Sequence, residues 1–330
     1  MRHWLDSGTV GSTPTPAPHG RCPHHGAAME TIRYLLVERY APLHNLSDRT
    51  VRLYGYTLDR FAAFLGREPV VADLEDLTLA KFLRWRASTP HRGKVPSTNS
   101  VIKDRTQLLA IANHAAKKRM VEFVTLAKAR PVERTPRGYT ADDVAAMIRV
   151  ARSRRGVTGG VPSGWWWGTI IYAGWITAGR LGEMLALRWS QVDSAERTVC
   201  YLAETRKGHT RDVTRSLTPD LAAWLAEHRR EPGDRVWEWD RAPTSIWTSL
   251  RLVCERAGVT YRGFHGLRKA SASYYTAAGG DATKLLDHDR PSTTRKSYLD
   301  PSIVRGGPSA AELLPRLDIG AEEDGTVLLD

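Results

Sequence analysis

The chain has 330 residues, a length that suggests about two domains, and 42% of them are hydrophobic, enough for ordinary cores and too many for wholesale disorder. The net charge of +12 points to a polyanionic partner, nucleic acid ahead of an acidic membrane. Cys22, Cys200 and Cys254 lack metal-ligand spacing and read as reduced thiols of a cytosolic protein, and the most apolar run, from Trp165 to Ala178, is too short to cross a bilayer.

Residues 1–28 are rich in Gly, Ser, Thr and Pro ("GSTPTPAPHG") and read as a disordered tail, with no apolar secretory segment. Within it "HGRCPHHG" crowds His19, Cys22, His24 and His25 without a second ligand pair, so no metal is expected. Residues 29–130 then show helical patterning. "TIRYLLVERYA" places Ile32, Leu35 and Leu36 on one side. "LSDRTVRLYGYTLDRFAAFLG" has Ser47 as N-cap, Gly66 as stop, and a stripe of Val51, Tyr54, Leu58, Phe61 and Leu65. "TLAKFLRWRAS" is a third helix, and "STNSVIKDRTQLLAIANHAAKKRM" a fourth with Ile102, Leu108, Leu109 and Ile111 inward. Arg49, Arg52, Lys103, Arg105, Lys117, Lys118 and Arg119 recur on the polar faces, as a phosphate-tracking surface would require.

"AKARPVERTPRGYT" reads as an extended basic linker, adding Arg134 and Arg137 to the candidate contacts, and Thr140 caps the helix of "ADDVAAMIRVA". A second domain, 131–317, follows, with an acidic tail at 318–330. After the Thr140-capped helix it continues with a buried Trp-rich helix and then "TAGRLGEMLALRWSQVD", where Arg180 and Glu183 are expected on one helical face. "RTVCYLAETRKGHTRDVTRSL" has β-branched residues around a Lys-Gly turn, a hairpin or short three-stranded sheet. Helices return at "TPDLAAWLAEHRR", "TSIWTSLRLVCERAG" and "FHGLRKASASYY", in which Tyr274 and Tyr275 read as core. The fold class expected is mainly α with a small antiparallel sheet: a helical domain, then an α+β domain. No P-loop or dinucleotide motif appears.

His265 and Arg268 stand three residues apart, two positively inclined groups on one helix turn that call for an anion between them. Taken in order, "TAGRLGEMLALRWSQVD", Lys207 in "ETRKGHTRDV", "HGLRKASASYY" and "LLDHDRPSTTRKSYLDP" closely resemble the tyrosine recombinases, the phage integrase family. The resemblance spans residues 30 to about 315 and matches the family's Arg, Lys, His-x-x-Arg, His and Tyr with Arg180, Lys207, His265, Arg268, His288 and Tyr298. Asp287 stands where the family commonly has Gly, and His288 to Tyr298 is 10 residues, about one longer than usual.

The resemblance implies a site-specific DNA recombinase, of a phage or mobile element, that works through a 3′-phosphotyrosine without metal or other cofactor. It implies a core-binding domain at 29–130 and a catalytic domain at 131–317. In these terms Arg180 and Arg268 hold the scissile phosphate, Tyr298 attacks, His265 is the base, Lys207 protonates the leaving oxygen, His288 orients a phosphate oxygen, and Glu183 orients Arg180. The partners implied are double-stranded DNA and a homotetramer on two duplexes, in the nucleoid-associated cytoplasm and not at a membrane. Residues Ala310, Leu313, Leu314 and Leu317 form an apolar stripe after the "VRGGPS" joint, expected to dock on a neighbouring protomer. A topoisomerase with the same chemistry, or a DNA-binding protein that no longer cuts, are the alternatives.

Overall fold

The computed structural model describes residues 30–91, 93–206, 208 and 211–304. They form two compact units that divide between Glu133 and Arg134.

The first unit holds four helices. One spans 32–43, with a π-helical stretch, Leu35–Tyr40, between short α-helical ends. The others are Asp48–Leu65, Asp76–Ser88 and Thr98–Lys117. Their boundaries follow local chemistry: Ser47 Oγ accepts from the Thr50 N–H, Gly66 takes a left-handed C-cap at φ 70°, and Ser97 Oγ accepts from the Ser100 N–H. Ile32, Leu35, Leu36, Leu58, Phe61, Leu79, Phe82, Leu108 and Ile111 make its core. Phe61 and Phe82 meet edge to face with ring centres 5.0 Å apart. Beside this core the buried Asp104 accepts from Thr57, Arg60 and Arg86, so a charge taken out of water keeps its partners. The chain after Lys117 runs back along this unit without regular structure. The Thr125 N–H donates to Asp76, and Asn99 both donates to and accepts from the Val132 backbone.

The second unit is built around the helix Ser163–Thr177, which is apolar all round and therefore interior. Trp166, Trp167, Ile170 and Ile171 are fully buried in it, and Trp189 and Trp237 join the same core. Buried indole N–H groups usually find acceptors; those of Trp167 and Trp189 have none among the described residues, whereas three others do. Trp165 donates to Trp224 O, Trp166 to Glu238 O, and Trp237 to Thr169 Oγ1. The helix Ala141–Arg152 packs on one side, opened by Thr140 in a reciprocal capping box with Asp143. The helix Gly263–Ala277 packs on another side. Pro219–Ala226 and Ser245–Arg256 complete the surround.

A three-stranded antiparallel sheet, in the order Val192–Asp193, Thr198–Tyr201, Val213–Ser216, lies beyond the short helix Leu181–Ala186. Its register pairs Val199 with Arg215 and Tyr201 with Val213. A second sheet is a small hairpin of Val157–Thr158 and Val161–Pro162. Two short helices, Ala282–Leu286 and Pro291–Ser297, end the described chain.

In the second unit two sequence expectations change. Arg180 does not lie within a helix: it is the extended N-cap of Leu181–Ala186, with φ −73° and ψ 143°. Tyr275 is not core: it is 48% exposed, its ring lying over Gly280 where the chain turns after its helix, while Tyr274 is half-buried and packs edge-on against Trp175. No helix among the described residues is long and apolar enough to cross a membrane.

Candidate active site

The interior helix ends at Ala178, which adopts a left-handed C-cap at φ 52° and turns the chain toward Arg180. Thr177 Oγ1 secures the corner by donating to Ala173 O and accepting from the Gly179 N–H. Arg180 then meets Glu183 twice. The Arg180 backbone N–H donates to Oε2 at 2.9 Å, and its Nη1 donates to Oε1 at 2.7 Å. Glu183 therefore both satisfies the N-cap backbone from within the first turn and holds the guanidinium. Burial pushes its carboxyl up, but the Arg180 N–H, the Arg180 guanidinium and Arg268 outweigh that and hold it below the usual carboxylate range. Glu183 is buried, whereas the Arg180 side chain keeps 29% of its surface open.

Arg268 lies one turn and a half into the helix Gly263–Ala277 and is 3% exposed. Its Nη1 donates to Ala178 O and its Nη2 to Leu286 O at 2.7 Å, bridging the corner before Arg180 to the end of the helix Ala282–Leu286. Its Nε–H is buried with no partner. Burial, and then Arg180, push the guanidinium down to about 10, which leaves it charged at neutral pH.

Tyr298 is the C-cap of Pro291–Ser297 and is buried. Its ring centre lies 4.6 Å from that of His288 and 5.0 Å from that of His265, with Arg268 Cζ 5.5 Å away. His288 Nε2 is 3.5 Å from Arg268 Nη2. Because Arg268 can only donate, that nitrogen is the acceptor; the ring proton then sits on Nδ1, which donates to Thr294 Oγ1 at 2.9 Å. His265 remains exposed on its outer side. Burial of its inner face, together with Arg268, Lys269 and Arg180, pushes its imidazole down to about 4. A neutral imidazole beside a phenol, with two guanidiniums at hand, can accept the phenol's proton while the cations hold an anion.

The structure thus brings Arg180, Glu183, His265, Arg268, His288 and Tyr298 together. Lys207 lies outside the described residues, as do residues 1–29 with His19, Cys22, His24 and His25, and the stripe Ala310, Leu313, Leu314 and Leu317. Among the described residues no group of three His, Cys, Asp or Glu is arranged to hold a metal ion.

Sequence reasoning missed Arg206, Arg211 and the role of Asp287. Arg206 is 5% exposed and spans two acids: Nε lies 3.5 Å from Glu183 Oε1, and Nη2 2.8 Å from Asp287 Oδ2. Arg211 donates to the other oxygen of Asp287. Burial pushes the Asp287 carboxyl up, but Arg211 and Arg206 override it and bring it down to about 2. Asp287 is also left-handed, φ 50°, a conformation that glycine adopts freely and Asp tolerates. An acid at a turn position that suits glycine was the one signal available in the sequence.

Of the outlying basic candidates, Arg49, Arg52, Lys103, Lys117, Lys118, Arg119 and Arg134 are exposed. Arg105 departs from the expectation of an open polar face: it is half-buried and donates to Leu126 O at 2.9 Å, because the returning chain covers it. Arg137 is exposed but pairs with Asp300 at 3.2 Å.

No protein-family model matches the sequence, and no curated protein does. Solved structures with a similar fold exist. One is the lambda integrase dimer bound to a COC′ core site (TM-score 0.61, 15% identity), which covers 84% of this chain and 79% of that one. Another is the lambda integrase tetramer bound to a Holliday junction, at TM-score 0.60 and 17% identity over 86% and 80%. A third is the Tn1549 transposon integrase in complex with circular intermediate DNA, at TM-score 0.58 and 12% identity over 84% and 96%. These likenesses define the class of the fold as that of the integrases: mainly helical, with small antiparallel sheets, as the sequence led us to expect.

Proposed function

We propose that the chain is a tyrosine-type site-specific DNA recombinase that cuts and rejoins DNA through a 3′-phosphotyrosine. The observation that carries this reading is Tyr298, a buried phenol seated against His265, His288 and Arg268. A merely structural tyrosine has no need of such company. Tyr298 Oη attacks phosphorus as neutral His265 takes the phenolic proton; the P–O5′ bond breaks and the leaving oxygen takes up a proton, the part the family resemblance gives to Lys207. Arg180 and Arg268 hold the non-bridging oxygens and offset the charge that builds in the transition state. The orphaned Nε–H of Arg268 gains an acceptor if a phosphate oxygen binds there. His288, held by Thr294, orients the phosphate.

Double-stranded DNA is the substrate, and the net charge of +12 and the exposed basic residues of the first unit support that. Residues 29–130 bind DNA in this reading and residues 131–317 carry the chemistry. The working assembly is a homotetramer on two duplexes, in keeping with the lambda integrase tetramer whose fold this chain shares. The test is incubation with a nicked suicide substrate carrying the element's own junction sequence. A covalent protein–DNA adduct that forms in excess EDTA, and is absent with Tyr298→Phe, supports the reading. Absence of any adduct overturns it, and adduct without exchange between duplexes reassigns the chain as a topoisomerase.

A further inference from the structure

The helix that presents Tyr298 has seven residues, too few to hold its own shape or direction. Something else must fix the phenol. Two residues further on, Asp300 is 2% exposed, and a carboxylate buried that fully keeps its charge only if donors surround it. They do. Oδ2 accepts the Gly138 N–H at 2.9 Å; Oδ1 accepts Arg137 Nη1 at 3.2 Å, the Ser302 N–H at 3.0 Å and Ser302 Oγ at 2.7 Å.

These anchors belong to the frame of the site. The Asp300 N–H donates to Ser273 Oγ at 2.8 Å, and Ser273 donates in turn to Lys269 O, on the helix that carries His265 and Arg268. Gly138 lies so close to that helix that a Cβ would stand 2.8 Å from Ala270 N. Tyr139 Oη accepts the Arg262 N–H at 2.8 Å, fixing the same segment at the helix start. The segment 137–139 is thus immobilised against the helix of His265 and Arg268, and Asp300 ties the chain beyond Tyr298 to it.

We propose that Asp300 is the positioning residue of the nucleophile: by clamping the Gly138 N–H, Arg137 and Ser302 it sets the distance and direction of Tyr298 relative to the phosphate held by the same protomer. The inference rests on the recombinase reading above and names a residue outside the six that the family resemblance supplies.

Misplacing a nucleophile by about 1 Å can cost about 100-fold in rate. At saturating suicide substrate, Asp300→Ala is expected to form adduct 10- to 100-fold more slowly, with DNA affinity within threefold of the unmodified chain. A second measurement separates positioning from general support. In a Tyr298→Phe background, hydrogen peroxide serves as an outside nucleophile: its oxygen bonds to phosphorus, the P–O5′ bond breaks, and the 5′ oxygen leaves with a proton. If Asp300 acts through Tyr298, adding Asp300→Ala leaves the rate of peroxide cleavage unchanged. A comparable fall in both reactions places Asp300 in support of the phosphate-holding groups and overturns the proposal, as does adduct formation by Asp300→Ala at the unmodified rate. Should Asp300→Ala not fold, Asp300→Asn keeps one acceptor for Gly138 and loses the charge toward Arg137, and a rate lowered at least threefold is expected. An unchanged rate there also refutes the clamp. An unmodified chain that forms no adduct fails earlier, at the recombinase reading, and takes this inference with it.

Discussion

Tyr298→Phe removes one oxygen from a ring whose packing against His265 and His288 otherwise persists, so binding and folding should be nearly unchanged while the adduct disappears. Denaturing gels read the adduct, and an adduct of undiminished yield would move the nucleophile elsewhere. Arg180→Ala is expected to lower cleavage by about 10²–10³, the cost of one lost oxyanion donor. Single-turnover kinetics check this, and a loss below tenfold would take Arg180 out of the site. Arg268→Ala should cost stability as well, since the Ala178 and Leu286 carbonyls lose their donor. In the proposed mechanism His265 sets the pH behaviour. Its folded pKa, about 4, lies below the ordinary 6.5, so the unfolded chain takes up this proton first. Stability from this group is therefore intact above about 6.5 and declines as pH falls toward 4. The acidic limb of the kcat/KM profile, which reports the free enzyme, should likewise lie below the ordinary imidazole range, and a limb that does not move when His265 is replaced by Gln would argue against His265 as the base. The resemblance to the tyrosine recombinases named Arg180, Lys207, His265, Arg268, His288 and Tyr298 as candidates. It could not lead to Arg206–Asp287 or Arg137–Asp300, because those pairs join positions 81 and 163 residues apart, and only the fold creates the contact.

Local signals were the most legible at the scale of helices and turns. Ser47, Gly66 and Thr140 act where side-chain and backbone chemistry placed them. The failures share a cause: tertiary packing decides what a short motif cannot. Arg180 and Glu183 have helical spacing, yet the left-handed turn at Ala178 puts Arg180 before the helix rather than in it. Asp287 shows how an element boundary and a charge network coincide, and it can be tested as such. Asp287→Gly would relieve a left-handed backbone worth about 1 kcal/mol. It would also strip a partner from the buried Arg206, where breaking such a pair costs about 3–5 kcal/mol. The net expectation is a loss of about 2–4 kcal/mol, read by denaturant unfolding; a stabilised variant would mean that the Asp287–Arg206 pair contributes nothing. The sign in acid follows from the pKa. Asp287 titrates near 2 when folded against an ordinary 3.8, so its contribution is full above about 3.8 and is lost as pH falls through 2.

For the molecule as a whole, the charge of +12 makes DNA affinity a function of salt. The logarithm of affinity should fall against the logarithm of salt concentration with a slope of about 0.9 per phosphate contacted. Replacing the exposed Lys117, Lys118 and Arg119 should flatten that slope by up to three contacts' worth if the first unit carries the contacts; fluorescence anisotropy across a salt series would show it, and an unchanged slope would move the interface elsewhere. The division at Glu133–Arg134 falls within a basic, proline-containing stretch. How the returning chain covers Arg105 was not foreshadowed, for nothing local marks Leu126 as its acceptor. The tryptophan core has a further, optical consequence. Nine of the 11 tryptophans lie between residues 165 and 247, and Trp85 alone falls between residues 30 and 133. Intrinsic fluorescence is thus almost a private signal of the second unit, while circular dichroism sums the helices of both. On heating, the two signals should part company wherever the units melt separately, and two-site unfolding could be followed without attaching a dye to either.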